Sequence, residues 1–147
     1  MKAKYCIYFF ILSMFIVSCQ GLEYDKEYSS VYPISGDWTI KVNDGTTTSG
    51  PYLIKIYNSS FSKDSLWIDD NGAFWQFKAK AKADMKNLTF AAANSQNYTY
   101  DSKVTFQNGK VIKNDSIYFE AVFNDGGSTV YKFSGHRKVS YEEYMGQ

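Results

Sequence analysis

Histidine is nearly missing from this chain: His136 is the one imidazole in 147 residues. That excludes metal centres built on several imidazoles and leaves one residue to serve any His-based catalytic set. Two cysteines, Cys6 and Cys19, are too few for a disulfide framework. Two prolines and ten glycines exclude collagen-like and linker sequence. Neither charge sign dominates, with 16 Lys and Arg against 15 Asp and Glu. A nucleic-acid binder carries a basic excess, so nucleic acid is not expected as a partner. A Gly-x-Ser-x-Gly nucleophile elbow is also missing. Aromatics are what the chain has in quantity: 13 Tyr, 11 Phe and 3 Trp, within an apolar content of 44%. A chain this apolar and of this length builds one core and one domain.

The N-terminus reads as an address. Lys2 and Lys4 precede an apolar run from Tyr5 to Val17. At 1.5 Å per residue that run is short of the roughly 20 residues a spanning helix needs, and it suits a signal-peptide core. Ile16-Val17-Ser18-Cys19 resembles the bacterial lipobox, in which the cysteine is acylated and becomes the new N-terminus. The resemblance implies a signal peptide over residues 1–18 and a lipid anchor on Cys19. A polar tether over 19–31, a barrel domain over 32–144 and a tail over 145–147 complete the expected organisation. The tether carries Glu23, Asp25 and Glu27. An acidic stretch after the cysteine resembles export signals of surface lipoproteins in some Gram-negative bacteria. The expected location is therefore the outer membrane, facing the surface or the periplasm.

Beyond residue 30 the apolar period is 2, not 3.6. Trp38, Ile40 and Val42 alternate with polar residues, and from Trp75 to Ala83 an apolar face alternates with Gln76, Lys78, Lys80 and Lys82. Asn43-Asp44-Gly45, Asp70-Asn71-Gly72, Asn108-Gly109 and Asn124-Asp125-Gly126-Gly127 supply turn residues that tolerate positive φ. The pattern predicts about eight strands, near 36–43, 52–59, 65–69, 73–83, 87–93, 103–108, 116–124 and 129–139. It also predicts a hairpin turn at Asn108-Gly109, with a short strand near 110–113 beyond it. Strands with hairpin turns and no helical crossover predict an all-β antiparallel meander that closes into a barrel to remove its edges.

Ser35-Gly36-Asp37-Trp38 resembles the Gly-x-Trp start of lipocalin-type barrels. There glycine allows close approach, the tryptophan plugs the closed end, and a basic residue from the last strand covers it. Arg137 is the candidate for that cover, as a cation–π lid. A wider set of segments carries a narrower resemblance. Leu66-Trp67-Ile68-Asp69-Asp70, Gly72 to Lys78, Asn87-Leu88-Thr89-Phe90, Asn108-Gly109-Lys110-Val111, Asp115 to Glu120 and Ser134-Gly135-His136-Arg137 occur in that order. Together they are similar to the bacterial lipoproteins called lipid-binding putative hydrolases, which implies a calycin-like barrel and an apolar ligand.

The residues divide the functional classes. Ala79, Ala81, Ala83, Ala91 and Ala93, if they face inward, leave volume framed by Trp38, Trp75, Phe77, Phe119 and Phe123. That volume would hold a lipid or other small apolar molecule. The competing reading is a packed core in which small residues sit opposite large ones. A second class is a surface module that recognises glycan or a partner protein through loop tyrosines such as Tyr24, Tyr28, Tyr32, Tyr98 and Tyr100. Hydrolysis ranks third and rests on the family name alone. His136 would need Asp69 or Asp115 to orient it and Ser134 or Ser116 to attack, and no residue stands out as catalytic. The stripe Lys78, Lys80, Lys82, which Lys86 extends, is a solvated outer face that blocks edge pairing, or a contact for anionic headgroups or acidic glycans. No metal and no cofactor are expected, and a monomer is.

Overall fold

The structure, a computed structural model, describes residues 28–113 and 115–139. Cys19, the signal segment and the tail from 140 lie outside the described residues.

Eight antiparallel strands follow one another around a closed barrel: β1 (Gly36–Asn43), β2 (Thr48–Asn58), β3 (Ser65–Asp69), β4 (Lys78–Asp84), β5 (Thr89–Gln96), β6 (Lys103–Ile112), β7 (Ser116–Phe123) and β8 (Tyr131–Arg137). Each strand pairs with its chain neighbour, and β8 returns to pair with β1 from Trp38↔Arg137 to Asn43↔Lys132. Alternation explains the closure. Ile117, Phe119, Ala121 and Phe123 are buried while Ser116, Tyr118, Glu120 and Val122 point away from them. An apolar inward face with lysines outside is the reverse of a membrane-spanning barrel, whose outward band is apolar.

Phenylalanines fill the interior. Phe119 stacks on Phe133 with ring centroids 4.5 Å apart, and Phe77 meets Phe106, Phe123 and Phe133 at 5.4–6.0 Å. Trp38, Phe77, Ala79, Phe119 and Phe123 are fully buried, and Ala81 and Ala83 nearly so. The inward alanines of β4 thus sit on the wall of an interior occupied by rings.

Both ends are plugged. At one end the turn before β1 inserts Val31 and Ile34 into the core. Val31, assigned by sequence to the tether, is fully buried and belongs to the barrel. Trp38 donates its indole N–H to the Ile34 carbonyl at 3.3 Å, and the Arg137 guanidinium lies 4.4 Å from the Trp38 ring centroid. Arg137 also donates to the carbonyls of Ser35 and Pro33. Gly36 takes a φ of +142°, which L side chains rarely adopt, and a Cβ there would also crowd the end of the Arg137 side chain.

At the other end the predicted strand over 73–83 is corrected: β4 starts only at Lys78. Asp70, 1% exposed, spreads its carboxylate over five backbone N–H groups. One oxygen accepts from Gly72 and Phe77, the other from Phe74, Trp75 and Gln76, at 2.7–3.1 Å. These donors cannot also join a sheet ladder, and Gln76 takes a φ of 56°. The hooked loop lays Phe74 on Tyr52, Tyr131 and Phe133 and stacks Trp75 on Phe123. Trp75 is therefore an end cap, not a strand residue sharing a face with Phe77.

The hairpin expected at Asn108-Gly109 does not form. β6 runs through it, and Asn108 at φ 56° makes a bulge between the Gln107↔Glu120 and Lys110↔Tyr118 pairs. The residues that close a tight turn also absorb an extra residue in a continuous strand. β2 begins at Thr48 rather than 52, since Asn43↔Thr48 pairing starts directly beyond the Asp44 turn. β5 is shifted to Thr89–Gln96.

Candidate functional site at the seam between β4 and β5

The ladder between β4 and β5 is interrupted. It runs Asp84↔Thr89, Ala83↔Phe90, Lys82↔Ala91, and resumes at an isolated bridge, Ala79↔Asn97. Between those points Lys80 and Ala81 of β4 face Ala92 to Gln96 of β5, so five residues span the length of two. β5 swells outward and pairs irregularly with β6. Asn94, at φ 49°, gives its N–H to the Thr105 hydroxyl at 3.1 Å instead of to a carbonyl of the ladder. The run Ala91-Ala92-Ala93 has no alternation to hold it to one face. Ala91 and Ala93, expected inward if the barrel held a cavity, are exposed, and Ala92 is half-buried.

The seam is reclosed by Asn97, which is 2% exposed. Its side-chain oxygen accepts from Lys78 and Thr99 N–H at 3.0 Å, and its amide donates to the Ser102 hydroxyl at 3.1 Å. Every buried polar side-chain atom among the described residues has a partner.

Two open grooves flank the ridge of alanines. The larger, about 890 Å³, has Ala83, Phe90 and Phe106 at its floor and Lys82, Lys110 and Tyr118 at its margins. The smaller, about 370 Å³, reaches Ala81 and Ser65 and is bordered by Phe61, Lys80 and Lys82. Ala91, Ala92, Ala93 and Lys82 line both. These volumes fall within the roughly 300–1,000 Å³ of small-molecule clefts. Thus both grooves lie at the seam, outside the ring-filled interior; of the interior candidates the larger touches Ala83 and the smaller Ala81, and both touch Ala91 and Ala93.

The polar margin of the larger groove is fixed. Tyr118 donates to Glu120 at 2.6 Å, and Asn108 and Gln107 donate to the other Glu120 oxygen at 2.8 and 3.1 Å. The hydrogen bond to Glu120 pushes the Tyr118 phenol up to about 12 and, with the Asn108 bond, holds the Glu120 carboxyl below its usual range. At the smaller groove Asp64 is held low, first by the Ser62 hydroxyl and then by Lys82 at 3.4 Å.

A third groove, about 490 Å³, holds His136, Ser116 and Ser134. Ser116 rather than Ser134 is the serine brought to the imidazole. Its Oγ lies 3.4 Å from Nδ1, and Asp115 lies 3.6 Å from that same nitrogen. A Ser-His-Asp relay needs serine and carboxylate on opposite ring nitrogens. Here the Ser116 hydroxyl donates to Asp115 at 3.2 Å, and the imidazole is three-quarters exposed. Asp69, the other proposed orienting acid, accepts from the Tyr57 hydroxyl and pairs with Lys78. Among the described residues no group of three or more His, Cys, Asp and Glu is placed to hold a metal ion.

Over residues 23–142 the chain matches the family described as lipid-binding putative hydrolase. Among solved structures it is similar to a redesigned beta barrel, with 11% identity and a TM-score of 0.51, covering 78% of this chain and all of the other. That likeness is one of fold. No curated protein matches the chain.

Proposed function

Because the chain belongs to the lipid-binding putative hydrolase family, we propose that it binds a lipid or similar apolar molecule along the β4–β5 seam. The observation that carries this reading is the interrupted ladder over an apolar floor. Ala91–Ala93 and Lys82 are shared by two grooves whose depths reach the otherwise inward Ala81, Ala83, Phe90 and Phe106. Small side chains leave room for a chain of methylenes, and each CH₂ removed from water contributes about 0.8 kcal/mol. Occupation of the barrel interior itself would require displacing the Phe77, Phe119 and Phe133 stack, so the seam is the less costly site.

The lipobox-like segment supports a finer reading. Cys19 carries the anchoring lipid, and the barrel works outside the cytoplasm on the outer membrane of a Gram-negative envelope. Every described strand and both plugs lie between residues 29 and 139. A chain beginning at residue 20 therefore retains all the described elements and cannot be acylated.

Native mass spectrometry of that chain with a fatty acid and with a short-chain phospholipid tests the proposal. One-to-one adducts are expected. Ala93→Trp fills the ridge between the grooves and should weaken binding by about tenfold or more, without moving the unfolding midpoint, since Ala93 is exposed. Adducts of unchanged affinity in Ala93→Trp would place the lipid elsewhere.

A further inference from the structure

Beside the smaller groove, and sharing Phe61 and Lys80 with its border, the outer face of β3 and β4 carries an aromatic cluster. Trp67 and Tyr98 pack edge to face at 4.9 Å. The Lys80 ammonium sits among three rings, 4.8 Å from Trp67, 5.0 Å from Phe61 and 5.5 Å from Tyr98. Lys78 lies over Tyr57 and Trp67 at 5.5 and 5.3 Å. Phe61, at the tip of the β2–β3 turn, is 79% exposed, and Tyr98 is 58% exposed. Lys63 and Lys82 extend the charge, so four lysines stand against Asp64 and Asp69.

Exposed aromatics mixed with lysines suit one kind of partner. Ring and ammonium together match the interfacial zone of a bilayer, where aromatic side chains sit at headgroup depth and lysines meet anionic phosphates. A flat sugar needs a free ring face, and Lys80 already occupies the faces of this cluster.

The path of the chain gives a second, independent argument. Ser30 donates its hydroxyl to the Lys63 carbonyl, which ties the segment leading into β1 to the Phe61 turn. Tyr28 is only nine positions beyond Cys19. Fully extended, that stretch reaches about 30 Å. An anchor at Cys19 thus lies within about 30 Å of the point where the chain meets this side of the barrel.

We propose that the Phe61 turn and the lysine-bearing outer face of β3 and β4 dock the barrel onto an anionic lipid surface, with the mouth of the seam groove opening at the bilayer. This rests on the seam as the lipid site, for it makes the docked face and the groove mouth contiguous through Phe61, Lys80 and Lys82.

Vesicle flotation of the chain from residue 20 tests it, with phosphatidylcholine alone and with equal parts of phosphatidylcholine and phosphatidylglycerol. Binding is expected to the anionic vesicles, weakening as salt rises. Phe61→Ser should lower partitioning about tenfold. Lys63→Gln should lower it about fivefold without touching either groove. Equal flotation on both vesicle types, or flotation unmoved by both substitutions, overturns docking. Adducts with a short-chain phospholipid in solution but no flotation would sink docking and leave the seam site standing. Flotation with no lipid adduct would sink the seam site and, with it, the link between the two.

Discussion

At the scale of single residues, Asp70 decides how the barrel end away from the Trp38 plug is closed. A carboxylate accepts on both oxygens, and here five N–H groups converge on two atoms. Asparagine has the same shape but turns an –NH₂ toward two or three of those donors. Each buried N–H then left without an acceptor costs about 1–3 kcal/mol. Asp70→Asn is expected to destabilise the barrel by about 3 kcal/mol or more, read as a fall in the urea midpoint. Trp75 fluorescence should shift to the red as its stack on Phe123 loosens. Full retention of the midpoint would show that the loop is held by Phe74 and Trp75 packing alone. The sequence shows Asp70-Asn71-Gly72 plainly as a turn, with Asn71 and Gly72 at positive φ as such residues permit. It does not show that the first of them also accepts from five of the next seven backbone N–H groups, because a side chain reaching forward over an irregular loop has no period to detect.

At the scale of elements, β6 shows why strand count was easier to read than strand boundaries. The inward set Val104, Phe106, Val111 and the outward set around it are visible as alternation. Asn108-Gly109 breaks that alternation in a way common to hairpins and bulges, and only pairing with β5 and β7 decides between them. The bulge makes a specific demand. A Cβ on Gly109 would strike the Phe90 carbonyl and ring. Gly109→Ala should therefore cost about 1–3 kcal/mol, the usual penalty of overpacking, measured by chemical denaturation. Stability equal to the wild type would mean that β5 can move away at no cost. The same logic limits what could be read of the seam. Alternation located Ala79, Ala81 and Ala83 on the inward face of β4, where they are. Ala91-Ala92-Ala93 offered no alternation, and that lack was itself the signal of a strand leaving the ladder. Lys78, Lys80 and Lys82 were legible as an outer stripe, but the rings that hold two of them come from Tyr57, Phe61, Trp67 and Tyr98, far apart in the chain.

At the scale of the whole molecule, the barrel combines a rigid circuit with one weak seam. The β8–β1 pairing closes the circuit, the two plugs seal its ends, and the phenylalanine stack joins opposite walls. Amides such as those of Ile40, Phe119 and Phe133 lie inside this unit and can exchange with solvent only when it unfolds globally. Ala93 and Asn94 lie where β5 has no register partner in β4 or in β6, so local opening suffices there. Native-state hydrogen exchange should find the seam amides exchanging at least about a hundredfold faster than the circuit amides. A ligand that binds only the closed seam adds about 2.7 kcal/mol at a hundredfold excess over its Kd, which slows that opening by about a hundredfold. Lipid should therefore protect the seam first and most. Protection spread evenly over all eight strands would instead mean that the ligand stabilises the barrel from its interior, and the space between the Phe77, Phe119 and Phe133 rings would become the site to probe.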